Sequence, residues 1–392
     1  MTEQEHCLGK KPHAMVLSGG GSFGAYGIGI MKSLFTGQSP ATGLSRINPT
    51  IFTGTSVGSL NACLLVSDPD QEAAIALRSL EQFWFQEMAG RTDLFRVRGD
   101  PTNVLDPQRI LMQPVDTLLQ SGRDAIYYAS DLLRRAGSFT SLGGPWLQRP
   151  LYMASVSSLV DTSAFIELLR TTVDGRRVSH SPKSLAVVAT NWQTGRVMVF
   201  TKQDFDKPEA HRYIAASAAV PGVFPPVAIA GELFIDGGVL MNTPLKPAID
   251  LQAETIHVID LLPPVKELPV VTSELYALQS TLAIVERILV MTVESRLDQD
   301  ISRIAWINLL LEKGPEIVEG KRRRLTIHRY HPSKPLGGML DLLNLDADSI
   351  EANIKLGFDD AGRHNCQEQG CVLPFAPAPK PTATEHPEVI GL

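Results

Sequence analysis

Ser56 stands in the segment GTSVG, a Gly-x-Ser-x-Gly spacing that is typical of hydrolases with a serine nucleophile. An apolar run typical of a strand, Thr50–Thr53, precedes this segment, and an apolar stretch typical of a helix, Val57–Val66, follows it. The pattern is weak by itself, but strand before and helix after are the context of a nucleophile elbow. In that context the serine oxygen lies at a helix N-terminus, where developing negative charge is favoured. We therefore predict that Ser56 is a nucleophile.

Asp236 is the first candidate for the base that such a serine needs, because a hydroxyl attacks well only when a neighbouring group accepts its proton. It ends a short apolar strand and enters a two-glycine turn in the segment FIDGG. Its carboxylate is therefore expected at a strand end, where the sites of α/β proteins gather. His257 is the alternative base by position, although a lone histidine in a strand more often has its partners in the core. Without the serine, Asp236 would be interpreted as an Asp-Gly turn residue.

Three consecutive glycines, Gly19, Gly20 and Gly21, lie between a predicted strand and a predicted helix. Glycines have no Cβ, so their N–H groups can converge on a small anion, with the positive end of the following helix behind them. This arrangement is typical of an oxyanion hole. A tight turn without chemistry is the alternative when the loop is taken alone.

The same loop also matches the dinucleotide fingerprint G-x-G-x-x-G, beginning at Gly19. That fingerprint requires an Asp or Glu about 20 residues further on to bind the ribose. No acidic residue occurs between Glu5 and Asp68, and only Arg46 is a conceivable ligand for the phosphate of NADP. The sequence favours an oxyanion loop over a nucleotide site, and no cofactor is expected.

Short apolar runs alternate with helix-length segments along most of the chain, which indicates an α/β fold with a mainly parallel central sheet covered by helices. The predicted strands are Ala14–Ser18, Thr50–Thr53, Leu185–Thr190, Arg196–Thr201, Leu233–Ile235, Thr255–Asp260 and Leu325–Tyr330. The predicted helices are Ala25–Phe35, Val57–Val66, a segment around Asp124–Arg135, and Ser273–Ile304 as one long helix or two. Gly27 and Gly29 inside the first helix each cost about 1 kcal/mol relative to alanine, which indicates close packing there.

We predict one domain over residues 13–372, with two less regular parts. Residues 90–147 are polar and poorly periodic, so they are interpreted as an insertion or cap over the core. Residues 264–372 form a C-terminal extension of helix and strand. Residues 373–392 are proline-rich and lack periodicity, which is typical of a disordered tail.

The composition excludes several classes of protein. With 44% hydrophobic and 20% charged residues and a net charge of −6, the chain is globular and has no overall basic field that would attract nucleic acid. The N-terminal segment lacks an apolar core of signal-peptide length, and no uncharged apolar run reaches about 18 residues. A cytoplasmic protein is expected, with transient contact to membrane surfaces left open. The basic run Lys321–Arg324 is either a site for anionic headgroups or, more often for four charges, a solvated face.

The cysteines do not predict a metal site. Four cysteines are too few and too scattered for a disulfide scaffold, which fits a reducing compartment. Cys366 and Cys371 would need two further ligands at suitable spacing, and His364 alone does not supply them. We therefore expect no metal.

Taken together, these segments resemble the patatin-like phospholipases, lipid acyl hydrolases that work with a Ser-Asp dyad. SGGGSFGAYGIGIMKSL is similar to the family's glycine-rich loop, GTSVGSLNA to its nucleophile elbow, and FIDGGVLMNTP to its Asp-Gly-Gly turn. The stretch AASAAVPGVFPPV is similar to the segment before that aspartate, and SLVDTSAFIELLRTTVD adds to the likeness. The resemblance covers most of His13–Ala248 and implies a three-layer α/β/α sandwich.

The resemblance implies a role for each matching residue. Ser56 is expected to be the nucleophile and Asp236 the general base, and Gly19, Gly20 and Gly21 are expected to offer the oxyanion N–H groups. Many family members carry Arg or Lys two residues after the third glycine, where this chain has phenylalanine. This departure leaves the preference for phospholipids open. Side chains expected to line the substrate pocket are Phe23, Val223 and Phe224.

The implied activity is hydrolysis of fatty acyl esters of a phospholipid, lysophospholipid or neutral lipid through an acyl-enzyme. The rate is expected to fall on the acidic side, because the aspartate must be ionised to accept a proton. An acyltransferase with the same dyad and a non-catalytic lipid-binding scaffold are the alternatives. The oligomeric state cannot be predicted from the sequence.

Overall fold

The computed structural model describes residues 12–68, 70, 72–98, 114–138, 160–262, 281–314 and 323–373. The strands in this part of the chain are β1 (His13–Leu17), β2 (Ile51–Thr55), β3 (Arg96–Val97), β4 (Val160–Asp161), β5 (Ser184–Asn191), β6 (Arg196–Thr201), β7 (Val227–Ile229), β8 (Glu232–Asp236), β9 (Thr255–Ile259) and β10 (Thr326–Tyr330). The helices are α1 (Gly24–Thr36), α2 (Val57–Ser67), α3 (Ala73–Phe83), α4 (Pro114–Ser138), α5 (Ser163–Thr172), α6 (Gly175–His180), α7 (His211–Ser217), α8 (Gly238–Met241), α9 (Leu245–Asp250), α10 (Thr281–Lys313) and α11 (Ala347–Gly362).

One mixed sheet forms the centre of the molecule, with the strand order β10-β9-β1-β2-β5-β8-β7 and β6 also paired to β5. The pairs from β10 to β5 are parallel. The strands beyond β5 are antiparallel, since β6 and β8 both run against β5 and β7 runs against β8. In the parallel half, the carboxyl ends of β1, β2 and β9 lie along the same end of the strands.

Helices cover both faces of this sheet, because successive residues of a strand point to opposite sides. Met15 and Leu17 of β1 lie in the larger apolar core, which includes side chains of α1, α2, α3 and α11. Ala14 and Val16 lie in a second core with side chains of α9 and α10. The three-layer α/β/α sandwich with a mainly parallel sheet is therefore confirmed.

The register around β5 brings two strand ends together. Thr55, the last residue of β2, is paired with Val188, and Asp236, the last residue of β8, is paired with Ala189. Since β6 pairs with residues 186–191 of β5 along its other side, β2 and β8 must share one side of β5. They run in opposite directions and meet end to end, so the residues that follow Thr55 lie beside Asp236.

Close contact between α1 and α11 explains one of the glycines that the sequence places inside a helix. A Cβ on Gly29 would overlap the carbonyl group of Ile354, and a Cβ on Gly357 would overlap the carbonyl group of Tyr26. The prediction of close packing at Gly29 is thus confirmed. At Gly27 a Cβ would meet Ile259 at 3.4 Å, an ordinary contact.

All seven predicted strands occur, with ends within one or two residues, and the helices around Ala25–Phe35 and Val57–Val66 also occur. The antiparallel β7, at Val227–Ile229, was missed because three residues carry too little alternation to be recognised. The predicted helix around Asp124–Arg135 is the middle of the longer α4. The described part of the predicted helix Ser273–Ile304 belongs to the single helix α10, and its first eight residues lie outside the described part.

Ion pairs hold part of the predicted insertion, residues 90–147, in place. Arg96 of β3 donates to Asp124 of α4 at 2.7 and 2.8 Å and to Asp161 of β4 at 3.2 Å, and Arg98 also pairs with both carboxylates. These four side chains are largely buried, so the inner side of α4 is held by ion pairs. The domain limits and the proline-rich tail remain predictions, and residues 374–392 lie outside the described part.

Within the described helices, none is both long enough and apolar enough to span a bilayer.

Candidate active site

Ser56 occupies the sharp turn between β2 and α2 and has a backbone conformation that side-chain-bearing residues rarely adopt. Its φ is 54° and its ψ is −126°. Such a strained residue persists only where its surroundings hold it, and strain of this kind is concentrated at functional sites. Ser56 is also almost fully buried.

The two glycines of the GTSVG segment allow the turn because backbone groups approach where a side chain would be. A Cβ on Gly54 would overlap Gly58 and the N–H of Ser59, and a Cβ on Gly58 would overlap the carbonyl group of Leu17 at the end of β1. The Gly-x-Ser-x-Gly spacing is thus required by packing between the turn, α2 and β1.

Ser217, at the end of α7, holds the turn from the other side. The N–H of Ser56 donates to Ser217 Oγ at 2.9 Å, and Ser217 Oγ donates to the carbonyl oxygen of Val188 at 2.6 Å. One buried hydroxyl therefore joins the turn to β5. From the AASAAVPG segment of the resemblance, Ser217 and Pro221 were expected only to shape a turn, and the bond from Ser217 to the serine turn was not predicted.

Asp236 lies at the carboxyl end of β8, with its carboxylate beside Ser56. Its N–H donates to the carbonyl oxygen of Ala219 at 2.8 Å, and its Oδ1 accepts the N–H of Gly238 at 2.6 Å. Burial raises the pKa of Asp236 to about 7, and hydrogen bonds from the Gly238 N–H and the Ser56 side chain offset part of that rise. The carboxyl therefore exchanges its proton near neutral pH, as a general base should.

The loop after Asp236 is fixed to the strand that carries the serine. Thr53 Oγ1 donates to the carbonyl oxygen of Pro244, and Thr55 Oγ1 donates to that of Met241, both at 2.9 Å. A Cβ on Gly237 would overlap the carbonyl group of Val188. The Asp-Gly-Gly turn thus packs directly on β2 and β5, which fixes the position of the carboxylate.

The glycine-rich loop passes close to the nucleophile. A Cβ on Gly19 would lie 2.9 Å from Ser56 Cβ and 2.6 Å from Asn242 Oδ1. The Gly19 N–H donates to the Asn242 carbonyl oxygen at 3.3 Å, and the Asn242 amide donates back to the Gly19 oxygen at 3.4 Å. Gly21 has a positive φ of 54°. Within the described residues, the N–H groups of Gly20 and Gly21 donate to no protein acceptor.

The three predicted pocket residues are placed differently from one another. Phe23 is buried in the larger core, and Val223 is half-buried. Phe224 is buried and stacks on Phe95 at 5.4 Å, and Phe95 in turn packs on Phe165 at 5.1 Å. This aromatic cluster joins the segment before Asp236 to the region of β3.

His257 lies in the middle of β9, and its contacts are in the sheet. Its ring nitrogens are 3.2 Å from His13 Nδ1 and 3.2 Å from the Tyr330 hydroxyl, and its ring stacks on His328. Burial lowers the pKa of His257 well below its usual value. The bases that the sequence left open are therefore separated: Asp236 lies beside Ser56, whereas His257 is a core residue.

A second group of chemically active side chains lies at the far edge of the sheet. Cys366 and Cys371 are joined there by His328 and His364, and the four candidate ligand atoms all lie within 4.8 Å of one another. The expectation of no metal site did not take account of His328, because an isolated histidine in a strand gives no spacing signal. The two further ligands that the cysteines would need are present.

The profile of the patatin-like phospholipase family matches residues 15–249, which is more than half of the chain. This match includes the glycine-rich loop, the serine turn and the Asp-Gly-Gly turn. The protein belongs to the patatin-like phospholipase family, and its membership supports a lipid hydrolase at the level of the family.

Two solved structures are similar to the chain at low identity. The crystal structure of VipD from Legionella pneumophila has 14% identity and a TM-score of 0.37, and the similarity covers 90% of this chain and 66% of that one. The crystal structure of the type III effector protein ExoU has 14% identity and a TM-score of 0.31, with 92% and 54% covered. The chain spans less than two thirds of the length of either protein.

The raised pKa of Asp236 predicts a gain in stability when the charge is removed. The folded protein retains a proton that the unfolded chain releases between about pH 4 and pH 7, so folding loses up to about 4 kcal/mol as the pH rises through this window. We expect Asp236→Asn to raise the free energy of unfolding by about 2–4 kcal/mol at about pH 8 and by less at about pH 5, measured by urea unfolding.

The control for this measurement is Asp250→Asn, since Asp250 is exposed and its carboxylate pairs, within the described part of the chain, with Lys246 on the same helix. That change is expected to shift stability by less than about 0.5 kcal/mol at either pH. A loss of stability in Asp236→Asn at the higher pH would contradict the assigned protonation.

Proposed function

We propose that the protein is a serine lipid acyl hydrolase in which Ser56 is the nucleophile and Asp236 the general base. The observation that carries the proposal is the end-to-end meeting of β2 and β8 on one side of β5, which sets a strained serine against a buried carboxyl group. Family membership supports the class of reaction. His257, the histidine best placed by sequence, makes its described contacts with His13 and Tyr330 within the sheet. The proposed dyad therefore works without an imidazole.

The first half of the reaction forms an acyl-enzyme. Ser56 Oγ attacks the carbonyl carbon of the ester while the Asp236 carboxylate accepts the hydroxyl proton. The tetrahedral intermediate then collapses, the bond to the leaving alcohol breaks, and Asp236 returns its proton to that alcohol. The acyl group is left esterified to Ser56.

The second half uses water as the nucleophile. Asp236, again ionised, accepts a proton from water as the water oxygen attacks the acyl carbon. The bond to Ser56 breaks, and the proton on Asp236 passes to the serine oxygen. The products are a free fatty acid and the enzyme in its initial state.

We assign the oxyanion hole to the glycine-rich loop, with different tasks for its members. Gly20 and Gly21 offer N–H groups that have no protein acceptor within the described residues, at the N-terminal side of α1. Gly19 instead places the loop, since its N–H is bonded to Asn242 and its Cα lies against Ser56. Each donor to the oxyanion is worth about 3 kcal/mol of transition-state stabilisation.

The outer side of α4 supports contact with a lipid surface. Among the described side chains of α4, the exposed valine, leucines and isoleucine lie within about 100° of the helix circumference, whereas Asp124 lies on the opposite side and is buried among ion pairs. These exposed side chains are Val115, Leu118, Leu119, Ile126 and Leu133. A helix that is polar toward the protein and apolar toward solvent suits the boundary between headgroups and acyl chains. Fatty acyl esters in membranes or micelles, either phospholipids, lysophospholipids or neutral lipids, are therefore the proposed substrates.

Labelling with a fluorophosphonate probe tests the nucleophile. We expect stoichiometric labelling of the wild type, complete loss in Ser56→Ala, and a rate reduced by at least about 100-fold in Asp236→Asn. Gel fluorescence and intact-mass spectrometry measure the extent and the rate of labelling. The matched control is Ser67→Ala at the end of α2, where the hydroxyl bonds only within the helix, and it should label as the wild type does.

Undiminished labelling of Ser56→Ala would contradict the assignment of the nucleophile.

The products of the reaction with mixed lipids distinguish a hydrolase from an acyltransferase. Hydrolysis gives mainly free fatty acid, whereas a predominance of acyl groups on a second alcohol would establish a transferase instead.

The pH dependence of catalysis tests the base. Because Asp236 must be ionised and its pKa is about 7, kcat/KM for a soluble short-chain ester is expected to rise with pH and to level off above about pH 8. Steady-state rates between about pH 5 and pH 9 would show an apparent pKa near 7. A flat profile below pH 7 would contradict the role of Asp236.

Vesicle binding tests the surface of α4. The triple change Leu118→Ser, Ile126→Ser and Leu133→Ser is expected to weaken binding to phosphatidylcholine vesicles by at least about tenfold, because it removes apolar area from the contact. Sedimentation with vesicles measures the effect. Hydrolysis of a soluble short-chain ester should be unchanged, and Leu44→Ser, an exposed leucine elsewhere, is the control. Equal binding by the triple variant would contradict the assigned surface.

A further inference from the structure

Four side chains at the edge of the sheet form a compact set of nitrogen and sulfur atoms, which we name the edge cluster: His328, His364, Cys366 and Cys371. His328 lies on the edge strand β10, and the other three lie after α11 in the segment that returns to this strand. We propose that the edge cluster binds one zinc ion as a structural site.

The distances within the edge cluster fit tetrahedral coordination. Cys366 Sγ lies 3.5 Å from His328 Nδ1 and 3.4 Å from His364 Nε2, and Cys371 Sγ lies 3.3 Å from His364 Nε2. Zinc bonds of about 2.3 Å to sulfur and about 2.0–2.1 Å to nitrogen, at tetrahedral angles, separate the two kinds of atom by about 3.5 Å. An ion at the centre of the cluster would therefore reach all four ligands with small movements.

The backbone holds the ligands in place without help from a metal. The N–H of Val372 donates to the carbonyl oxygen of Ile327 at 2.9 Å and the N–H of Ile327 donates to that of Val372 at 2.8 Å, which ties the segment to β10. The N–H of Arg329 donates to Cys371 Sγ at 3.3 Å, and the N–H of Cys371 donates to the carbonyl oxygen of Cys366 at 3.1 Å. Backbone hydrogen bonds therefore fix both cysteines beside β10.

A buried nitrogen of His364 also supports a role of this histidine as a metal ligand. His364 Nδ1 has no hydrogen-bond partner in the described structure, and neither has Gln369 Oε1, although the Gln369 side chain interacts with the same imidazole. Ligation through Nε2 fixes the tautomer of His364, so Nδ1 carries a proton to donate toward Gln369. Metal-bound histidines are usually oriented by such an outer acceptor.

The ligand set selects the ion and its task. Two thiolates and two imidazoles in a tetrahedron favour zinc among the common divalent ions, and four protein ligands leave no open position for substrate or water. The ion therefore stabilises structure and takes no part in the hydrolysis. Its position joins the segment after α11 to β10, next to Arg329, whose guanidinium pairs with Asp260 at 2.9 Å and with Glu294 at 2.8 Å.

Metal analysis of the full, untagged chain tests the site. Protein produced with zinc in the medium and purified without chelators is expected to carry about one zinc ion per chain by mass spectrometry of its metals. The double variant Cys366→Ser and Cys371→Ser should carry less than about 0.1, and its affinity for zinc should fall by more than about 100-fold in competition with a chromogenic chelator. Cys63→Ala, at a buried cysteine outside the edge cluster, should keep the ion.

Three further measurements apply even if the double variant does not fold. Cobalt added to chelator-stripped wild type should give the visible absorption of tetrahedral cobalt with two thiolates. Chelation should lower Tm, and zinc should restore it, while Cys366→His, which retains a ligand, should keep measurable zinc. Less than about 0.1 zinc per chain after loading, equal zinc in the double variant, or a Cys366–Cys371 disulfide in protein isolated without oxygen would each overturn the proposal.

Discussion

The arrangement of the site depends on a junction within the sheet, where β2 and β8 end against each other along one side of β5. Their register sets Thr55 opposite Val188 and Asp236 opposite the next residue of β5. A strand that ends inside a sheet leaves backbone groups to be satisfied by other means. The hydroxyl of Ser217 does so at the serine turn, and the glycines of both turns allow the backbones to approach. The proposed reactive groups thus meet because two strands run toward each other, not because a flexible loop carries them.

In the proposed dyad, the same junction explains how a carboxyl group can act without an imidazole. Asp236 is buried beside neutral groups, and its principal donor is a single N–H, that of Gly238. A fully solvated carboxylate would be too weak a base near neutral pH. A carboxylate that accepts several hydrogen bonds would be weaker still. Sparse hydrogen bonding and burial together bring its proton affinity into the useful range. The protein holds this poorly solvated charge at the expense of stability, which the packing on both faces of the sheet must supply.

Much of the fold could be predicted from the sequence because buried parallel strands are short apolar runs with turn signals at both ends. The strand β7 and the ion pairs of Arg96 were not predicted, since three residues carry no periodicity and charge partners distant in sequence leave no local pattern. For the proposed site, Ser56, Asp236 and the glycines could be named from the sequence because their turns restrict residue type. Asn242 and His328 were not given roles, because each acts through contacts across the fold that have no counterpart in spacing.

The segment after α11 has a consequence for the outer border of the sheet. An edge strand exposes unpaired N–H and carbonyl groups that can accept a strand from another molecule. On β10, the N–H and carbonyl groups of Ile327 are hydrogen-bonded to Val372, and the N–H of Arg329 donates to Cys371 Sγ. The border at β10 is therefore a poor template for intermolecular pairing, because the chain folds back over it and already uses its outward-facing groups.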